Sequence, residues 1–247
     1  MNSTGLVRPL DLNRLPGVHA VVSTAEGRSA ERPLAGNLSY RVGDDPAQVR
    51  KNRDALFALI GATEDVLATP DQVHSASIRW VDQPGRHEEC DGLMTRTPGL
   101  ALGVTIADCV PVLLADPVRG VVAAVHAGWR GSAERIVQKA VAEMVSTAGS
   151  DPHEIRAYIG HAAGACCYEV GGEVADRFHD GVRHVRQGRI FLDLKAENRN
   201  QLLAGGLRES HITLGPECTI CSPRLHSYRR DGARSGRMMA VILRRER

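Results

Sequence analysis

Two histidines and one cysteine, His74, Cys109 and His126, are the residues of this chain best suited to chemistry. Cys109 precedes the apolar run from Val110 to Ala115, and His126 follows the apolar run from Val121 to Val125. The residues between the runs read Asp-Pro-Val-Arg-Gly, which favours a turn, so the segment is predicted to form a β-hairpin. The residue that enters the first strand of a hairpin lies beside the residue that leaves the second. Cys109 and His126 are therefore predicted to meet at one end of a sheet.

A thiol that faces an imidazole supports two kinds of chemistry. Thiolate and imidazole both bind zinc, and with His74 as a third ligand the fourth tetrahedral position stays open, as in catalytic zinc sites. The same pair could instead be a nucleophile and its general base. A third interpretation makes Cys109 a small buried side chain and His126 an ordinary capped one. The polar residues around them, Asp108 and the turn at 127–131, favour a functional site.

Length, charge and cysteine content limit the class of protein. The chain has 247 residues, and no linker or repeat divides it, so one domain over residues 1–247 is expected. A formal net charge of +2 gives no electrostatic reason to expect binding to nucleic acid or to a membrane. No apolar run approaches the roughly 20 residues that span a bilayer, and the first ten residues lack the apolar centre of a signal peptide. With six cysteines and no such signal, a cytoplasmic protein with reduced thiols is expected.

Apolar periodicity predicts the elements that position these residues. Further strands are predicted at Val18 to Ser23, Ile78 to Val81, Leu100 to Ile106, Ile155 to Ile159 and Met239 to Leu243. Helices are predicted from Asp45-Pro46 to about Ile60, from a cap at Ser132 through Met144, from Glu173 to His179 and from Leu192 to Leu207. Because strands outnumber helices and several are joined by short turns, the fold class is predicted to be mixed α/β with mixed sheets.

The turn after His126 could bind an anion. Gly128, Arg130 and Gly131 precede the helix predicted to begin at Ser132. Free backbone N–H groups at a helix start and a guanidinium can share an anion. A simple helix cap beside a surface arginine is the other interpretation, and the sequence leaves both open.

A second cationic segment lies near the C-terminal end of the chain. Residues 227–237 include four arginines within nine residues. Tyr228 in this segment could stack on a planar base, and Arg229 could bind a phosphate. A solvated basic loop is the ordinary alternative.

The other cysteines suggest structure rather than catalysis. Cys218 and Cys221 form a CxxC motif, which could bind metal or do redox work, but without a second such pair a mostly structural role is expected. Cys166 and Cys167 are adjacent and are expected to pack, and the role of Cys90 is left open. None of the ten histidines forms a His-x-His pair, which argues against the multicopper centre of a conventional laccase.

Four motifs together resemble one protein family. They are Gln72-Val-His74, Ala107-Asp-Cys109-Val-Pro-Val, His126-Ala-Gly-Trp-Arg-Gly131 and Cys167-Tyr-Glu-Val-Gly171. In this order and spacing they are similar to those of the peptidoglycan editing factor family, whose members are often labelled polyphenol oxidases or multicopper laccase-domain proteins. The resemblance runs from about Gly36 to the segments Ser227-Tyr-Arg-Arg-Asp-Gly232 and Gly236-Arg-Met, which is most of the chain.

The resemblance implies both a fold and an activity. The fold would be a four-layer α/β/β/α sandwich with mixed sheets. His74, Cys109 and His126 would bind zinc, with copper as the alternative metal. The activity would be that of a purine nucleoside phosphorylase acting on adenosine, inosine and methylthioadenosine, with adenosine deaminase activity alongside. The partners would be a purine nucleoside and phosphate. The preferred nucleoside and the oligomeric state are left open.

The residues expected to bind substrate are Asn37, Arg130, Tyr228 and Arg229. Phosphorolysis would place phosphate against Arg130 and the following helix start, ready to attack C1′ of the ribose. Deamination would need a carboxylate to move protons, and Asp108 is the nearest in sequence, although strand alternation would point it away from the neighbouring thiol.

The sequence leaves two other functional classes open. Cys109 could be a nucleophile activated by His126 in an amidase or deamidase acting on a peptidoglycan precursor, since other family members are linked to the correction of such precursors. A binding protein with structural zinc is disfavoured because three ligands leave the metal open.

Three segments depart from the family pattern. Ser75 stands where a glycine usually follows the first histidine, the segment from His161 to Ala165 replaces one of the type Pro-Cys-Ile-Gly-Pro, and His226 stands where an aromatic residue is usual. These changes are expected to bear on the shape of the pocket and on its substrate preference.

Overall fold

A computed structural model describes residues 6–25 and 27–246 of the chain. The strands, in chain order, are β1 Leu6–Val7, β2 Val18–Ser23, β3 Leu67–Pro70, β4 Ile78–Trp80, β5 Gly85–His87, β6 Gly92–Thr95, β7 Ala101–Ile106, β8 Val110–Asp116, β9 Val121–Ala127, β10 Arg156–Ile159, β11 Glu169–Val170, β12 Arg183–Arg186, β13 Arg189–Leu192, β14 Ile212–Leu214 and β15 Met238–Arg244. The α-helices are α1 Leu10–Asn13, α2 Pro46–Leu59, α3 Trp129–Ala133, α4 Ile136–Ala148, α5 Gly172–Ala175, α6 Leu194–Ala204 and α7 Tyr228–Asp231.

The strands form two large mixed sheets and one small one. The first sheet has the order β1-β2-β15-β7-β3-β5, and the second has the order β14-β10-β8-β9-β6-β4. In the first sheet β15 pairs antiparallel with β2 and β7, whereas β3 pairs parallel with β5 and β7. In the second sheet the β8–β9 hairpin is antiparallel, whereas β10–β14 and β4–β6 are parallel. The prediction of mixed sheets is confirmed.

The two large sheets pack face to face, with helices on both outer faces. Alternate residues of β9 enter different cores: Val122 and Ala124 face the first sheet, whereas Val125 packs against α4. Because the hairpin is buried on both faces, its strands are continuous apolar runs. On the opposite outer face, α2 packs Phe57 against Met239 of the first sheet. The four-layer α/β/β/α sandwich is therefore confirmed.

The Asp45-Pro46 pair correctly predicted the start of α2. α2 begins at Pro46, and the side chain of Asp45 accepts a hydrogen bond from the backbone N–H of Ala47, as expected of a cap. Two helices are shorter than predicted: α5 ends at Ala175 rather than at His179, and α6 covers only Leu194–Ala204 of the predicted Leu192 to Leu207. Within the described ranges, no helix is both long enough and apolar enough to cross a membrane.

The helix predicted to begin at Ser132 was wrong. Two helices, α3 and α4, replace it, and they are separated where Arg135 adopts a left-handed φ of 60°. Ser132 does not cap either helix, because it lies inside α3 and its buried hydroxyl accepts a hydrogen bond from Asn198 of α6. The apolar stripe from Ile136 to Met144 is buried as predicted, so the periodicity was right and the start was not.

Candidate metal centre and active site

The β8–β9 hairpin brings Cys109 and His126 to the same end of the second sheet. Pro111 pairs with His126, which places Gly128 directly opposite Cys109. Cys109 and His126 are therefore diagonal neighbours rather than the direct partners predicted. Paired residues of an antiparallel ladder point to one face, so both side chains still project to the same side. That side faces the first sheet, and the two residues meet at the open end of the gap between the sheets.

His74 reaches this point from the loop between β3 and β4. Its φ of 62° is left-handed, a conformation that a residue with a side chain adopts only when its surroundings hold it there. Gln72 anchors the loop to the first sheet by exchanging hydrogen bonds with the backbone of Thr105. Asp91 anchors it to the second sheet by accepting from the backbone N–H groups of His74 and Ser75. The loop that carries His74 is tied to both sheets as a result.

The three side chains converge tightly enough to hold one metal ion. One ligand atom from each of His74, Cys109 and His126 lies within 4.8 Å of the others. The two imidazole rings are 5.1 Å apart between centroids and meet edge to face at 80°. A Cβ atom at Gly128 would lie 3.1 Å from the sulfur of Cys109 and 3.2 Å from the ring of His74, so glycine keeps this space open. One thiolate and two imidazoles are a donor set that suits zinc.

Asp91 is a functional residue that the sequence analysis missed. It is fully buried, and its carboxylate lies 2.8 Å from Nδ1 of His126. A carboxylate accepts only, so Nδ1 carries a proton, and Nε2 is the nitrogen that contacts the thiol or, once deprotonated, can bind a metal. In the sequence Asp91 follows Glu88, Glu89 and Cys90, and neither its spacing from His74 nor its neighbours distinguish it from the two glutamates.

Charge at the site is concentrated on the thiol and imidazole. Burial opposes ionisation of Cys109, but attraction to His126 outweighs it and lowers the pKa of the thiol to about 6. Burial also opposes protonation of His126, but the Cys109 thiolate and the Asp91 carboxylate raise the pKa of the imidazole to about 9. Burial would raise the pKa of Asp91, and hydrogen bonds from His126 and Ser75 hold it below its usual value. The lowered pKa of Cys109 favours the thiolate, the form needed both for metal binding and for nucleophilic attack.

A cavity of about 720 Å³ opens beside the three side chains. Its walls come from both sheets and from the loops around residues 39–42, 168 and 228–237. Cavities of this size hold small organic ligands. Three lining arginines are paired with carboxylates, Arg41 and Arg86 with Asp71 and Arg53 with Glu64.

Two further arginines line the cavity without such partners. Among the described residues, no carboxylate lies within salt-bridge distance of the guanidinium of Arg229 or Arg237. Arg237 is half-buried, and burial lowers its pKa, so its charge is poorly solvated. The Arg237 guanidinium carbon lies 5.5 Å from the ring centre of Tyr228, and that of Arg229 lies 5.0 Å from the ring centre of Tyr168. This wall offers positive charge beside two aromatic rings.

The residues expected to bind substrate divide into two groups. Tyr228 and Arg229 line the cavity. Arg130 and Asn37 are not among the lining residues. Arg130 is exposed and stacks on Trp129 at 4.4 Å, and the helix that was expected to support an anion there is only the short α3. Asn37 is fully buried, and its side chain holds backbone groups of neighbouring loops, including the N–H of Arg237.

Asp108 lies on the cavity wall, although strand alternation was expected to turn it away from Cys109. It precedes β8 and has a φ of 90°, so the alternation of an extended strand does not apply to it. Its two carboxylate oxygens accept hydrogen bonds of 2.6 Å from the hydroxyl of Thr219 and from the backbone N–H of Arg229. The carboxylate thereby joins the hairpin that bears Cys109 to the loop of Thr219 and to α7.

The three departures from the family pattern lie outside the cavity lining. The hydroxyl of Ser75 donates a hydrogen bond to Asp91 and so helps to position the carboxylate that contacts His126. His161 and His226 are buried at 1% and 0% exposure, where they pack rather than face the cavity. Their effect on the pocket is therefore indirect, through the packing beneath its wall.

A four-layer sandwich with one thiolate and two imidazoles at the open end between its sheets defines a class of proteins. The chain belongs to the family described as multi-copper polyphenol oxidoreductase laccase, whose model matches residues 18–245. The site described above offers a metal only two imidazoles, fewer than a multicopper centre requires, so the family description does not fit this site literally.

Similar proteins carry the names of nucleoside enzymes. The chain is 41% identical to a purine nucleoside phosphorylase of Deinococcus radiodurans over 94% of its length and 92% of that relative. It is 36% identical to adenosine deaminase RL5 from an unknown prokaryotic organism, over 93% of its length and 95% of that relative. The crystal structure of YlmD from Geobacillus stearothermophilus superposes with a TM-score of 0.90 at 33% identity, covering 100% of this chain and 98% of that one.

Proposed function

We propose that this protein is a zinc-dependent purine nucleoside phosphorylase that acts on adenosine, inosine and methylthioadenosine and also deaminates adenosine. The observation that carries the proposal is the meeting of His74, Cys109 and His126 at the wall of a cavity of about 720 Å³. The same wall holds two arginines that have no carboxylate partner among the described residues. The names of the relatives favour the same activity.

His74, Cys109 and His126 would hold the zinc ion. When bound, zinc supplies Lewis acidity at neutral pH. The chain's contribution is to present the ligands in the correct state: Asp91 keeps the proton of His126 on Nδ1, and His126 keeps Cys109 ionised. The three protein ligands leave room for one further group from solvent or substrate.

Phosphate would bind at the wall formed by Arg229 and Arg237. Both guanidiniums lack a carboxylate partner within the described ranges, and burial of Arg237 increases the gain from pairing it with an anion. In phosphorolysis a phosphate oxygen forms a bond to C1′ as the bond from C1′ to the purine nitrogen breaks. The arginines would neutralise the charge of the attacking phosphate and hold it in place. Tyr228, exposed at this wall, would stack on the purine.

Arg130 and Asn37 keep more indirect roles in this proposal. Asn37 would act by holding the backbone of Arg237. Arg130 lies outside the cavity lining, so its predicted contribution to phosphate binding would be weaker than that of the two lining arginines.

Deamination requires water to add at C6 of adenine and ammonia to leave, with a proton carried from one to the other. We assign this transfer to Asp108, whose carboxylate lies on the wall beside Cys109. The hydrogen bonds from Thr219 and Arg229 fix its position, which a proton carrier needs.

One observation favours a second function. In the metal-free site the thiol of Cys109, with a pKa of about 6, lies beside His126, with a pKa of about 9, as a nucleophile and base would. Such a pair could act as an amidase or deamidase on a peptidoglycan precursor. Metal binding and nucleophilic attack use the same thiolate, so the two functions exclude one another.

The test follows free base, ribose 1-phosphate and ammonia with and without phosphate. We expect base release from adenosine and inosine only with phosphate, and ammonia release from adenosine without it. Both should fail in His74→Ala and in demetallated protein, and both should return with zinc only in the unsubstituted protein. Amide hydrolysis that survives demetallation, with no nucleoside cleavage in the metal-loaded form, would overturn the proposal in favour of the cysteine hydrolase.

A further inference from the structure

Four cysteines outside this site converge on a second centre. One sulfur from each of Cys166, Cys167, Cys218 and Cys221 lies within 4.8 Å of the others. The sulfur of Cys221 is 2.9 Å from that of Cys167 and 3.4 Å from that of Cys166. All four thiols are free, and two of them, Cys166 and Cys221, are exposed. Free cysteines normally pack as small buried side chains, so a cluster of four with two exposed members needs another explanation.

Backbone contacts hold the two halves of the cluster together. Cys218 forms an isolated parallel bridge with Ala162, and the N–H of Thr219 donates to the carbonyl of Ala162. The N–H of Gly164 donates to the sulfur of Cys218 at 3.2 Å. A Cβ atom at Gly164 would lie 3.2 Å from Cβ of Cys218 and 3.3 Å from the sulfur of Cys166, so glycine permits this close approach. The sulfurs are therefore placed by the backbone and not by chance rotamers.

We propose that Cys166, Cys167, Cys218 and Cys221 bind a structural zinc ion in a closed tetrathiolate site. Zinc with four thiolates is tetrahedral, with Zn–S near 2.3 Å, which separates the sulfurs by about 3.8 Å. The four sulfurs lie within 4.8 Å of one another, so small rotations of the side chains would bring their separations to this value. Four protein ligands leave no open position, so this centre would stabilise the fold and would not catalyse.

Two arginines hold the backbone of the loops that carry the four cysteines. Arg230, which is paired with Asp231, donates to the carbonyls of Thr219, Ile220 and Ser222 around Cys221. Arg186 donates to the carbonyl of Ala165, next to Cys166.

The position of the cluster indicates what the metal would do. Tyr168 of the cavity wall follows Cys167 directly, and Thr219, which donates to Asp108, lies between Cys218 and Cys221. The zinc ion would join the two loops that carry these groups. Its loss should loosen the cavity wall while the ligands of the first site stay in place.

The test measures zinc per chain in protein purified with reductant, and it uses Cys109→Ser to empty the first site. We expect about one zinc per chain in Cys109→Ser, and close to none when Cys218→Ser and Cys221→Ser are added. The matched control adds Cys90→Ser instead. Cys90 belongs to neither cluster, so this variant should keep its zinc. Because the first site is empty throughout, the result does not depend on the function proposed above.

Cobalt substitution supplies a second measurement that needs no further cluster variant. Cobalt in the Cys109→Ser protein should show the strong sulfur-to-metal charge-transfer absorption of several thiolate ligands. A protein that retains reduced thiols but binds no metal would overturn the proposal. So would cobalt bound without that absorption, or a mass deficit showing that the freshly isolated cluster is held as a disulfide.

Discussion

Asp91→Asn is the substitution that most directly tests how the first site is built. The Asp91 carboxylate accepts four hydrogen bonds, from the backbone of His74, from the backbone and hydroxyl of Ser75, and from His126. Asparagine has the same shape but replaces one acceptor oxygen with a donor. If the amide nitrogen takes the position of Oδ2, the two donors of Ser75 lose their acceptor. If it takes the position of Oδ1, the N–H of His74 loses its acceptor and His126 must carry its proton on Nε2 rather than Nδ1, so that Nε2 can no longer bind a metal.

The expected magnitude follows from these contacts. Loss of a partner that orients a metal-binding histidine typically weakens metal binding about 10- to 100-fold, which is about 1.4 to 2.8 kcal/mol. A buried donor without an acceptor costs about 1 to 3 kcal/mol of folding stability. We therefore expect zinc affinity at the first site to decrease about 10- to 100-fold and the free energy of unfolding to decrease by about 1 to 3 kcal/mol.

The assay is zinc competition with a chromogenic chelator at fixed pH, together with denaturant unfolding of the metal-free protein. Asp116→Asn is the matched control, because Asp116 is equally buried at the far end of the same hairpin and accepts only from the turn at Val118 and Arg119. It should change stability without changing zinc affinity. Unchanged zinc affinity in Asp91→Asn, or equal weakening in both variants, would refute the reasoning.

Four other outcomes are expected. Cys109→Ala should lose most of the metal of the first site yet keep its circular dichroism spectrum; full occupancy of that site would exclude Cys109 as a principal ligand. Arg237→Ala should raise the phosphate concentration needed for half-maximal phosphorolysis about 10- to 100-fold, the value of a charge-assisted hydrogen bond. Arg130→Ala should raise it less, because Arg130 stacks on Trp129 outside the cavity lining; a larger effect of Arg130→Ala would move the phosphate site. In demetallated protein, alkylation of Cys109 should rise with pH through about 6, since attraction to His126 lowers its pKa and the thiolate is the reactive form. A midpoint near the ordinary thiol value would show that the pair is not formed, and zinc should protect the thiol.

The sequence by itself determined the local structure of the site. The alternation of apolar runs and turn residues predicted the β8–β9 hairpin, and with it the meeting of Cys109 and His126. The spacing of apolar residues predicted the buried stripe of α4, and Asp45-Pro46 predicted the start of α2. These features depend on neighbours within one or two turns of chain, and periodicity records which face of an element is buried.

Only the tertiary structure decided which distant groups support that site. Asp91, Asp108 and Arg237 reach it through loops, and His74 and Asp108 have positive φ, where strand alternation gives no direction for a side chain. Arg135 also has a positive φ, which ends α3 and starts α4 at Ile136, and the apolar periodicity does not reveal this break.

The cysteines show the same limit most clearly. The sequence offered one CxxC motif and no second pair, and the fold supplied the second pair by bringing Cys166 and Cys167 against Cys218 and Cys221 from more than 50 residues away. Such convergence depends on the order of strands and on how two sheets pack. An apolar period of two residues in a strand or 3.6 in a helix shows which face of that element is buried. It does not show which distant element packs against that face.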